Sequence, residues 1–327
     1  MPIAEWQAEL AACFTRLDEL LDYLRLDPRG GSLGSAATGD FPLRVTRSYA
    51  ARMRKGDSDD PLLRQVLPVE QEQLELPGYS ADPVGDMNAV ATAGLLHKYH
   101  GRVLLLTTGA CAIHCRYCFR RDFPYADGQL SRRREQDALA YIAGDGSIAE
   151  VLLSGGDPLV LNDTRLHSLI RNIAAIPHVR RLRIHSRLPV VLPSRITGRL
   201  LQTLTETRLT PVLVIHSNHP AEINEEVATA LASLRQAGVT LLNQAVLLKG
   251  INDSVDIMAA LNETLFEHGV MPYYLHLLDK AKGTWHFDVS EETALVLHEQ
   301  LRSRLPGYLV PTLVREIAGE PYKSWRA

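Results

Sequence analysis

The last two thirds of the chain alternate between short apolar runs and longer amphipathic stretches, and this alternation constrains the fold most. Six short runs from Gly101 onward have the length of strands: residues 103–107, 150–154, 181–185, 211–216, 240–246 and 272–277. Helical spacing is found over residues 132–143, 164–176, 194–206, 222–236, 254–267 and 291–304. Apolar strands that alternate with helices are typical of a parallel sheet joined by crossover helices.

Each predicted strand ends in residues that are unusually polar for a buried sheet. These residues are the cysteine-containing loop after the first strand, Ser154 to Asp157 after the second, Ser186 and Arg187 after the third, His216 to His219 after the fourth, Asn243 and Gln244 near the end of the fifth, and His276 and Asp279 at the end of the sixth. A barrel of parallel strands has its active site at the carboxyl ends of those strands. Six polar strand ends therefore predict one shared cavity mouth.

Three of the four cysteines, Cys111, Cys115 and Cys118, have the spacing C-x3-C-x2-C. Thiolates bind iron–sulfur clusters, and a common cluster takes four protein ligands, so three cysteines leave one iron open to a small molecule. The spacing does not match the paired C-x2-C of a zinc ribbon, and no second pair completes such a site. Three packed core cysteines are the alternative, but a segment with His, Arg and Tyr is a poor core.

The first part of the chain predicts a helical extension that covers another part of the protein. Apolar side chains at helical spacing predict a helix over residues 3–26, with Cys13 packed inside it, and a glycine-rich breaker follows at residues 30–34. Residues 41–45 predict an extended piece, residues 48–54 a short helix and residues 57–68 a capped turn.

Composition and charge exclude several classes of protein. The 327 residues are 46% apolar, enough for a sizeable core, and the net charge of −3 attracts neither nucleic acid nor a membrane surface. No apolar run approaches the roughly 18 residues that span a bilayer, and the amino terminus lacks a signal-peptide pattern. Four cysteines, three of them clustered, do not make a disulfide framework. We therefore expect a protein of the reducing cytoplasm without nucleic-acid or membrane partners.

With Tyr117 as its aromatic residue, the pattern C-x3-C-x-aromatic-C resembles the signature of radical S-adenosylmethionine (SAM) enzymes. The following Phe-Arg-Arg-Asp-Phe-Pro-Tyr125 is similar to the lysine 2,3-aminomutase family, and the resemblance extends from about Phe41 to Lys323. It implies that Cys111, Cys115 and Cys118 hold a [4Fe–4S] cluster whose fourth iron binds the amino and carboxyl groups of SAM.

Further segments resemble one branch of this family, the bacterial aminomutases that supply (R)-β-lysine for modification of elongation factor P. They are Gly-Leu-Leu-His-Lys-Tyr-His100, Arg-Ile-His-Ser-Arg-Leu-Pro189 and Met-Pro-Tyr-Tyr-Leu-His276, together with a short carboxyl terminus. The resemblance therefore implies L-lysine as substrate and a functional link to elongation factor P and its lysyl-ligase.

The resemblance also implies the residues that hold SAM. They are Ser154, Gly155, Gly156 and Asp157 for its amino group, and Arg187, His216 and Gln244 for its carboxylate, adenine and ribose parts. Glycines without a Cβ allow a backbone to approach a ligand closely. An ordinary tight turn at the glycines, and strand-end capping by the other side chains, stay open as alternatives.

A second cofactor, pyridoxal phosphate (PLP), is implied by the resemblance at Lys323, which matches the lysine that carries PLP in the family. The glycine run before that lysine is Ala-Gly-Glu-Pro-Tyr here, and a solvated surface lysine is the alternative. Lys98, Tyr99 and Arg102 match the residues that hold the phosphate, and such basic and hydroxyl groups suit a dianion.

For the substrate, the resemblance implies that Arg120 binds the carboxylate with its planar fork of donors. Asp279 matches the first of two family aspartates that bind the distal ammonium. The second position is Glu316, which is one methylene longer.

The expected fold is α/β: a partial (β/α)6 TIM-like barrel, the radical SAM core, with a helical N-terminal extension and a short C-terminal PLP-lysine segment. We expect these parts at residues 96–310, 1–95 and 311–327. The chain stops four residues after Lys323 without a further cysteine, where larger family members continue to zinc-binding cysteines, so we expect no structural zinc.

The expected activity is that of an isomerase, a radical SAM, PLP-dependent 2,3-aminomutase that converts L-α-lysine to (R)-β-lysine. Free lysine and lysine attached to elongation factor P both stay open as substrates. One alternative is a non-catalytic iron–sulfur protein for electron transfer or redox sensing, which needs no Lys323. Another is a radical SAM aminomutase for a different amino acid such as glutamate, for which Asp279 and Glu316 have the wrong charge.

Overall fold

The computed structural model describes residues 4–27, 41–125 and 131–327, and in this part of the chain one sheet dominates. Its ten strands lie side by side in the order in which they occur along the chain. They are β1 (Val90–Thr92), β2 (Leu95–Tyr99), β3 (Arg102–Thr108), β4 (Glu150–Gly155), β5 (Arg181–Ser186), β6 (Thr210–Ile215), β7 (Thr240–Val246), β8 (Met271–His276), β9 (Thr312–Arg315) and β10 (Ser324–Trp325). Every connection therefore joins neighbouring strands.

Strands β3 to β9 are parallel, while β1, β2 and β10 add antiparallel pairs at the two sides of the sheet. The six predicted strands are confirmed as β3 to β8. The sequence did not predict β9, because four residues are too few to show a pattern. Pairing with β8 makes it a seventh parallel strand, with Thr312 beside Tyr274 and Val314 beside His276. A mostly parallel, open α/β sheet confirms the predicted partial barrel.

Eleven α-helices surround or precede the sheet within the described ranges. They are α1 (Glu5–Ala11), α2 (Leu17–Leu24), α3 (Arg47–Ala50), α4 (Pro61–Arg64), α5 (Arg132–Gly144), α6 (Asp163–Ala174), α7 (Leu188–Val191), α8 (Gly198–Thr205), α9 (Glu225–Gln236), α10 (Val255–Glu267) and α11 (Glu291–Arg304). The predicted helices at 132–143, 164–176, 222–236, 254–267 and 291–304 are confirmed to within three residues at each end.

The helix predicted over residues 194–206 is wrong at its start. The chain forms α7, then a 3₁₀ turn (Pro193–Arg195), and only then α8. The Thr197 hydroxyl accepts a hydrogen bond from the Leu200 amide at 3.2 Å, which makes Thr197 the N-cap of α8. An N-cap residue has extended backbone, so the helix begins after it.

The single helix predicted over residues 3–26 is also wrong. Phe14 and Val45 exchange two backbone hydrogen bonds, at 2.8 and 3.0 Å, and this bridge separates α1 from α2. Cys13 is buried but lies between the two helices, with its thiol 3.7 Å from the carbonyl of Ala112. The predicted glycine-rich breaker at 30–34 lies outside the described residues.

The turn predicted over residues 57–68 is capped as expected. The carboxylate of Asp60 accepts hydrogen bonds from the amides of Leu62 and Leu63 at 2.9 and 3.0 Å, at the start of α4. A side-chain cap of this kind contributes about 1 kcal/mol to the stability of a helix end. Gln65, which follows α4, is thereby placed against the sheet, where it contacts buried polar side chains.

One hydrophobic cluster extends from the helical extension to the last parallel strand. It contains Trp6 in α1, Leu153 in β4 and Leu313 in β9, all at most 2% exposed. Each such side chain contributes roughly 1.5–3 kcal/mol on burial. The extension and the sheet therefore share a core, and the boundaries expected at residues 95 and 310 stay a prediction. Within the described ranges, no helix combines the length and the apolar character needed to cross a bilayer.

Candidate active site

A cavity of about 1340 Å³ extends along the carboxyl ends of the parallel strands. The structure brings all the predicted site residues together around it: Lys98, Tyr99, Arg102, Cys111, Cys115, Cys118, Arg120, Ser154, Gly155, Gly156, Asp157, Arg187, His216, Gln244, Asp279, Glu316 and Lys323. Residues more than 200 positions apart in the chain thus share one space.

The three cysteines lie on the loop after β3, which packs against the N-terminal extension. The amide of His114 donates to the carbonyl of Arg44 at 2.9 Å. Burial raises the pKa of Cys111 well above its usual value and the pKa of Cys118 to about 11, and neighbouring thiols add to both shifts. Thiols of this kind ionise only beside positive charge, which a metal centre supplies.

The three thiols fit an iron–sulfur cluster by their chemistry. Cys111, Cys115 and Cys118 all line the cavity. Cysteine thiolates are the usual ligands of such clusters, and a common cluster takes four of them. Three cavity-lining thiols without a fourth are the donor set of a cluster with an open iron.

Arg187, directly after β5, is the main charged neighbour of the cysteine loop. Its Nη1 donates to the sulfur of Cys115 at 2.6 Å, and its Nη2 donates to Gln65 at 2.7 Å and Glu222 at 2.9 Å. Burial lowers the pKa of Arg187, but its neighbours, the Cys115 sulfur first, raise it well above the usual value. Arg187 is therefore a permanent cation beside the cysteine loop, and its unpaired Nε is buried at the cavity.

The two glycines after Ser154 let the end of β4 pack against the cysteine loop. Gly155 has a φ of +124°, and a Cβ there would lie 2.5 Å from the carbonyl oxygen of Thr108. A Cβ on Gly156 would lie 2.3 Å from the carbonyl oxygen of Ala110. Only glycine fits such contacts. Besides allowing a ligand to approach, as the sequence predicts, these glycines permit close backbone packing that positions the cysteines.

Asp157 connects the ends of β4 and β5. Its carboxylate accepts hydrogen bonds from the Ser186 hydroxyl at 2.7 Å, the Arg187 amide at 2.8 Å and the Leu159 amide at 3.0 Å. Burial raises the pKa of Asp157 to about 6, although these hydrogen bonds oppose the shift. The acidic residue of the Gly-Gly-acidic segment therefore aligns two neighbouring strand ends.

Several cavity side chains have a buried polar atom without a hydrogen-bond partner. These atoms are Nε2 of His185, His216 and His276, Oε1 of Gln244 and Oδ1 of Asp279. Burial lowers the pKa of His216 to about 4 and holds the pKa of His185 and of His276 well below the usual value, so the imidazoles are neutral. An unpaired buried polar group costs about 1–3 kcal/mol. Neutral donors and acceptors around a cavity fit a polar ligand.

Five charged side chains form a continuous row of ion pairs along one wall. Asp86 pairs with Nε of Arg120 at 2.7 Å and with Nζ of Lys98 at 2.6 Å. Glu316 pairs with Lys98 at 2.9 Å and also with Lys323. We call Arg120, Asp86, Lys98, Glu316 and Lys323 the charged row.

The charged row has an excess of positive charge. Burial raises the pKa of both carboxyl groups, but Lys323 and Lys98 hold the pKa of Glu316 well below its usual value. Arg120 and Lys98 lower the pKa of Asp86 in the same way. Three cations then face two carboxylates, and the remaining positive charge suits an anionic ligand. Lys98 also donates to the carbonyl of Val84 at 2.9 Å, so all three N–H groups of its ammonium are engaged. Lys98 would therefore attract an anionic ligand by its charge, without a free N–H to donate.

Arg102 and Tyr99 lie at the hairpin between β2 and β3. The Arg102 guanidinium stacks over the Tyr99 ring at 4.6 Å from the ring centre, an arrangement that keeps the cation in place. Burial, aided by the nearby Glu316, raises the pKa of Tyr99, so its hydroxyl stays a donor.

Asp86 and His185 also line the cavity, although the sequence did not predict them as site residues. His185 is the second-to-last residue of β5 and the last residue of the strand predicted at 181–185, so the rule that polar strand ends face the cavity could have found it. Asp86 lies in an irregular segment before β1, where no periodicity exists. No sequence signal singles it out.

The chain is similar in sequence to proteins of known families. Residues 105–261 match the family model of the radical SAM superfamily. The chain is similar to an L-lysine 2,3-aminomutase of Escherichia coli, at 50% identity over 98% of this chain and 94% of the relative. It is also similar to L-lysine 2,3-aminomutases of Haemophilus influenzae, at 47% identity over 93% and 90% of the two chains, and of Buchnera aphidicola, at 43% over 98% and 95%.

Gly156→Ala should lower both stability and the capacity of the cysteines for a cluster. The new Cβ has backbone as its neighbour, which cannot move aside cheaply, so we expect a loss of about 1–3 kcal/mol. Urea unfolding and iron content after anaerobic reconstitution measure the two effects. The control is Gly146→Ala, since nothing lies within 4 Å of a Cβ there. Equal iron content in both variants would contradict the packing role.

Asp279→Asn should change how stability depends on pH. Burial first, then Glu316, raises the pKa of Asp279 to about 7 from its ordinary value of 3.8. Between these two pKa values the folded chain keeps a proton that the unfolded chain loses. The contribution of this proton to the free energy of unfolding is fully present below about pH 4 and is lost as the pH rises through 7.

We therefore expect Asp279→Asn to match the parent at about pH 4 or below and to exceed its stability at pH 8 by on the order of 1 kcal/mol or more. Urea unfolding of the chain without added ligands at both pH values measures this. The exposed Asp59→Asn is the control. A variant that follows the parent's pH profile contradicts the assignment.

Proposed function

Since the chain belongs to the L-lysine 2,3-aminomutase family of radical SAM enzymes, we propose that its cavity is the PLP-dependent site where L-α-lysine becomes (R)-β-lysine. Family membership makes the chain an isomerase with a [4Fe–4S] cluster and SAM. PLP, the residue roles and the link to elongation factor P are the proposed parts.

The single observation that supports the proposal most is that Lys323 lines the same cavity as Cys111, Cys115 and Cys118. A radical formed at a cluster must act on a substrate held close by. An exposed Lys323 on another face would have been incompatible with PLP chemistry at this centre. Instead, its side chain is 19% exposed and paired with Glu316.

The residues that line the cavity fit three bound groups: the iron–sulfur cluster, SAM and PLP. The cysteines would hold the cluster, with Arg187 beside Cys115. The unpartnered polar atoms of His216 and Gln244 would contact SAM, together with residues 154–157. Lys323 would hold PLP, with Arg102, Tyr99 and the charge of Lys98 around its phosphate. When bound, SAM on the cluster supplies the radical that removes hydrogen, and PLP supplies a ring that delocalises an unpaired electron.

The chain's own residues would orient the amino acid by its two ends. Arg120 offers a guanidinium whose Nη1 donates to Ser154 at 3.1 Å and whose fork suits a carboxylate. Asp279 has a buried, unpaired Oδ1, and an ammonium there would remove the cost of ionising it. A diamine such as lysine satisfies both ends, and the buried walls exclude water and stray hydrogen donors.

The alternatives are weaker. Because the chain belongs to a family of enzymes, the hypothesis of a non-catalytic iron–sulfur protein is rejected. Glutamate would place a second carboxylate beside the buried Asp279, and a like charge there makes the ionisation of Asp279 still less favourable. The relatives are named for lysine. Within the branch that the sequence resembles, β-lysine serves elongation factor P, and we propose the same use here.

Lys323→Ala should lose PLP and keep the cluster, because the lysine is far along the chain from the cysteines and is not one of their supports. PLP absorbance retained after gel filtration and iron content measure the two groups separately. The exposed Lys55→Ala is the control and should retain both. PLP retention by Lys323→Ala equal to that of the control would contradict the role of Lys323.

Product analysis tests the whole proposal. The reconstituted chain is incubated anaerobically with SAM, PLP, a reductant and one of three substrates: free L-lysine, elongation factor P bearing α-lysine, or L-glutamate. We expect β-lysine from a lysine substrate and no change in glutamate. Turnover of glutamate alone would replace lysine as the substrate, and no product from any substrate would contradict an aminomutase.

A further inference from the structure

Asp86 is a buried carboxylate whose two oxygens contact two different functional cations. Oδ1 pairs with Nζ of Lys98 at 2.6 Å, and Oδ2 pairs with Nε of Arg120 at 2.7 Å. Its exposure is 2%. A carboxylate shared in this way fixes the distance between the two cations, because neither can move without losing a buried ion pair.

Asp86 is itself held firmly by its neighbours in the chain. The carboxylate of Asp82 accepts hydrogen bonds from the amide of Asp86 at 2.8 Å and the amide of Met87 at 3.0 Å. Gly85, with a φ of +66°, packs so closely on Ala318 that a Cβ would lie 2.8 Å from the Cβ of Ala318. The segment therefore touches the turn between Glu316 and Lys323.

The contact with Nε determines which part of Arg120 is available. Asp86 takes the Nε edge of the guanidinium, and Ser154 contacts Nη1. Nη1 therefore lies beside Ser154 in β4, and both residues line the cavity. On the other side, Asp86 is one of three acceptors that hold the Lys98 ammonium in place.

We propose that Asp86 is a positioning residue that sets Arg120 and Lys98 relative to each other and thereby couples binding of the substrate carboxylate to binding of the cofactor phosphate. This inference rests on the proposed function. It assigns a role in the site to the helical extension, outside residues 105–261 that match the radical SAM superfamily.

If Asp86 served only to balance charge, its removal would have the opposite effect on ligand binding. Removal would leave Arg120 and Lys98 more strongly positive, and anionic ligands would bind more tightly. If Asp86 positions the two cations, its removal lets both side chains turn away, and both ligands bind more weakly despite the added positive charge.

The experiment compares the parent with Asp86→Asn, Asp86→Glu and the exposed control Asp137→Asn. For each reconstituted chain, PLP affinity is measured by absorbance titration, and kcat and KM are measured separately for L-lysine. Iron content and the urea midpoint report on folding.

For Asp86→Asn we expect iron content like the control, weaker PLP binding and a higher KM, each by about tenfold, and a kcat lower by up to about 100-fold, as for misplaced reacting groups. Asp86→Glu keeps the charge and should recover most of the PLP affinity but less of kcat, since its carboxylate is displaced. Unchanged or tighter binding of either ligand by Asp86→Asn overturns the inference.

Two further outcomes are decisive. If Asp86→Asn does not fold, Asp86→Glu takes its place, and a Glu variant with the parent's KM, kcat and PLP affinity overturns the inference. A parent chain that neither binds PLP nor forms β-lysine contradicts the proposed function instead. A working parent with an unaffected Asp86→Asn contradicts only the role of Asp86.

Discussion

The parallel register of β3 to β9 is the constraint on which the rest of the molecule depends. Because these strands run the same way and pair with their neighbours in chain order, their carboxyl ends meet at one side of the sheet. Thiols after β3, imidazoles at β5, β6 and β8, and a carboxylate after β9 thereby face one cavity. No local interaction could gather residues so far apart in the chain.

Close backbone packing then fixes the position of the cysteine loop at the cavity. Gly155 and Gly156 allow the end of β4 to touch the cysteine loop, and the amide of Asp157 donates to the carbonyl of Ala110 at 2.8 Å. Arg187 joins this loop to Glu222 and to Gln65 of the extension. The cysteines are therefore supported from both sides, by the barrel and by the chain that precedes it.

Burial decides the charges of the site. A charge away from water is stable only beside an opposite charge, which is why the carboxylates of Asp86 and Glu316 each hold two cations. Asp279 lacks such a partner at Oδ1, and burial raises its pKa to about 7. The same wall thus combines satisfied ion pairs with one carboxyl group that an incoming cation would stabilise.

The sequence by itself determined the six central strands, most crossover helices, the cysteine motif and the family, because periodicity and motif spacing are local properties that neighbouring residues express directly. It did not determine the break between α1 and α2 or the strand β9, whose partners, Val45 for Phe14 and β8 for β9, lie far along the chain. The family resemblance supplied the candidate site residues. Asp86 belongs to no recognisable motif, and it contacts Lys98 and Arg120 only because the fold brings these distant segments together. Ion pairs and unpaired buried atoms are properties of distances in space, so only the tertiary structure decided them.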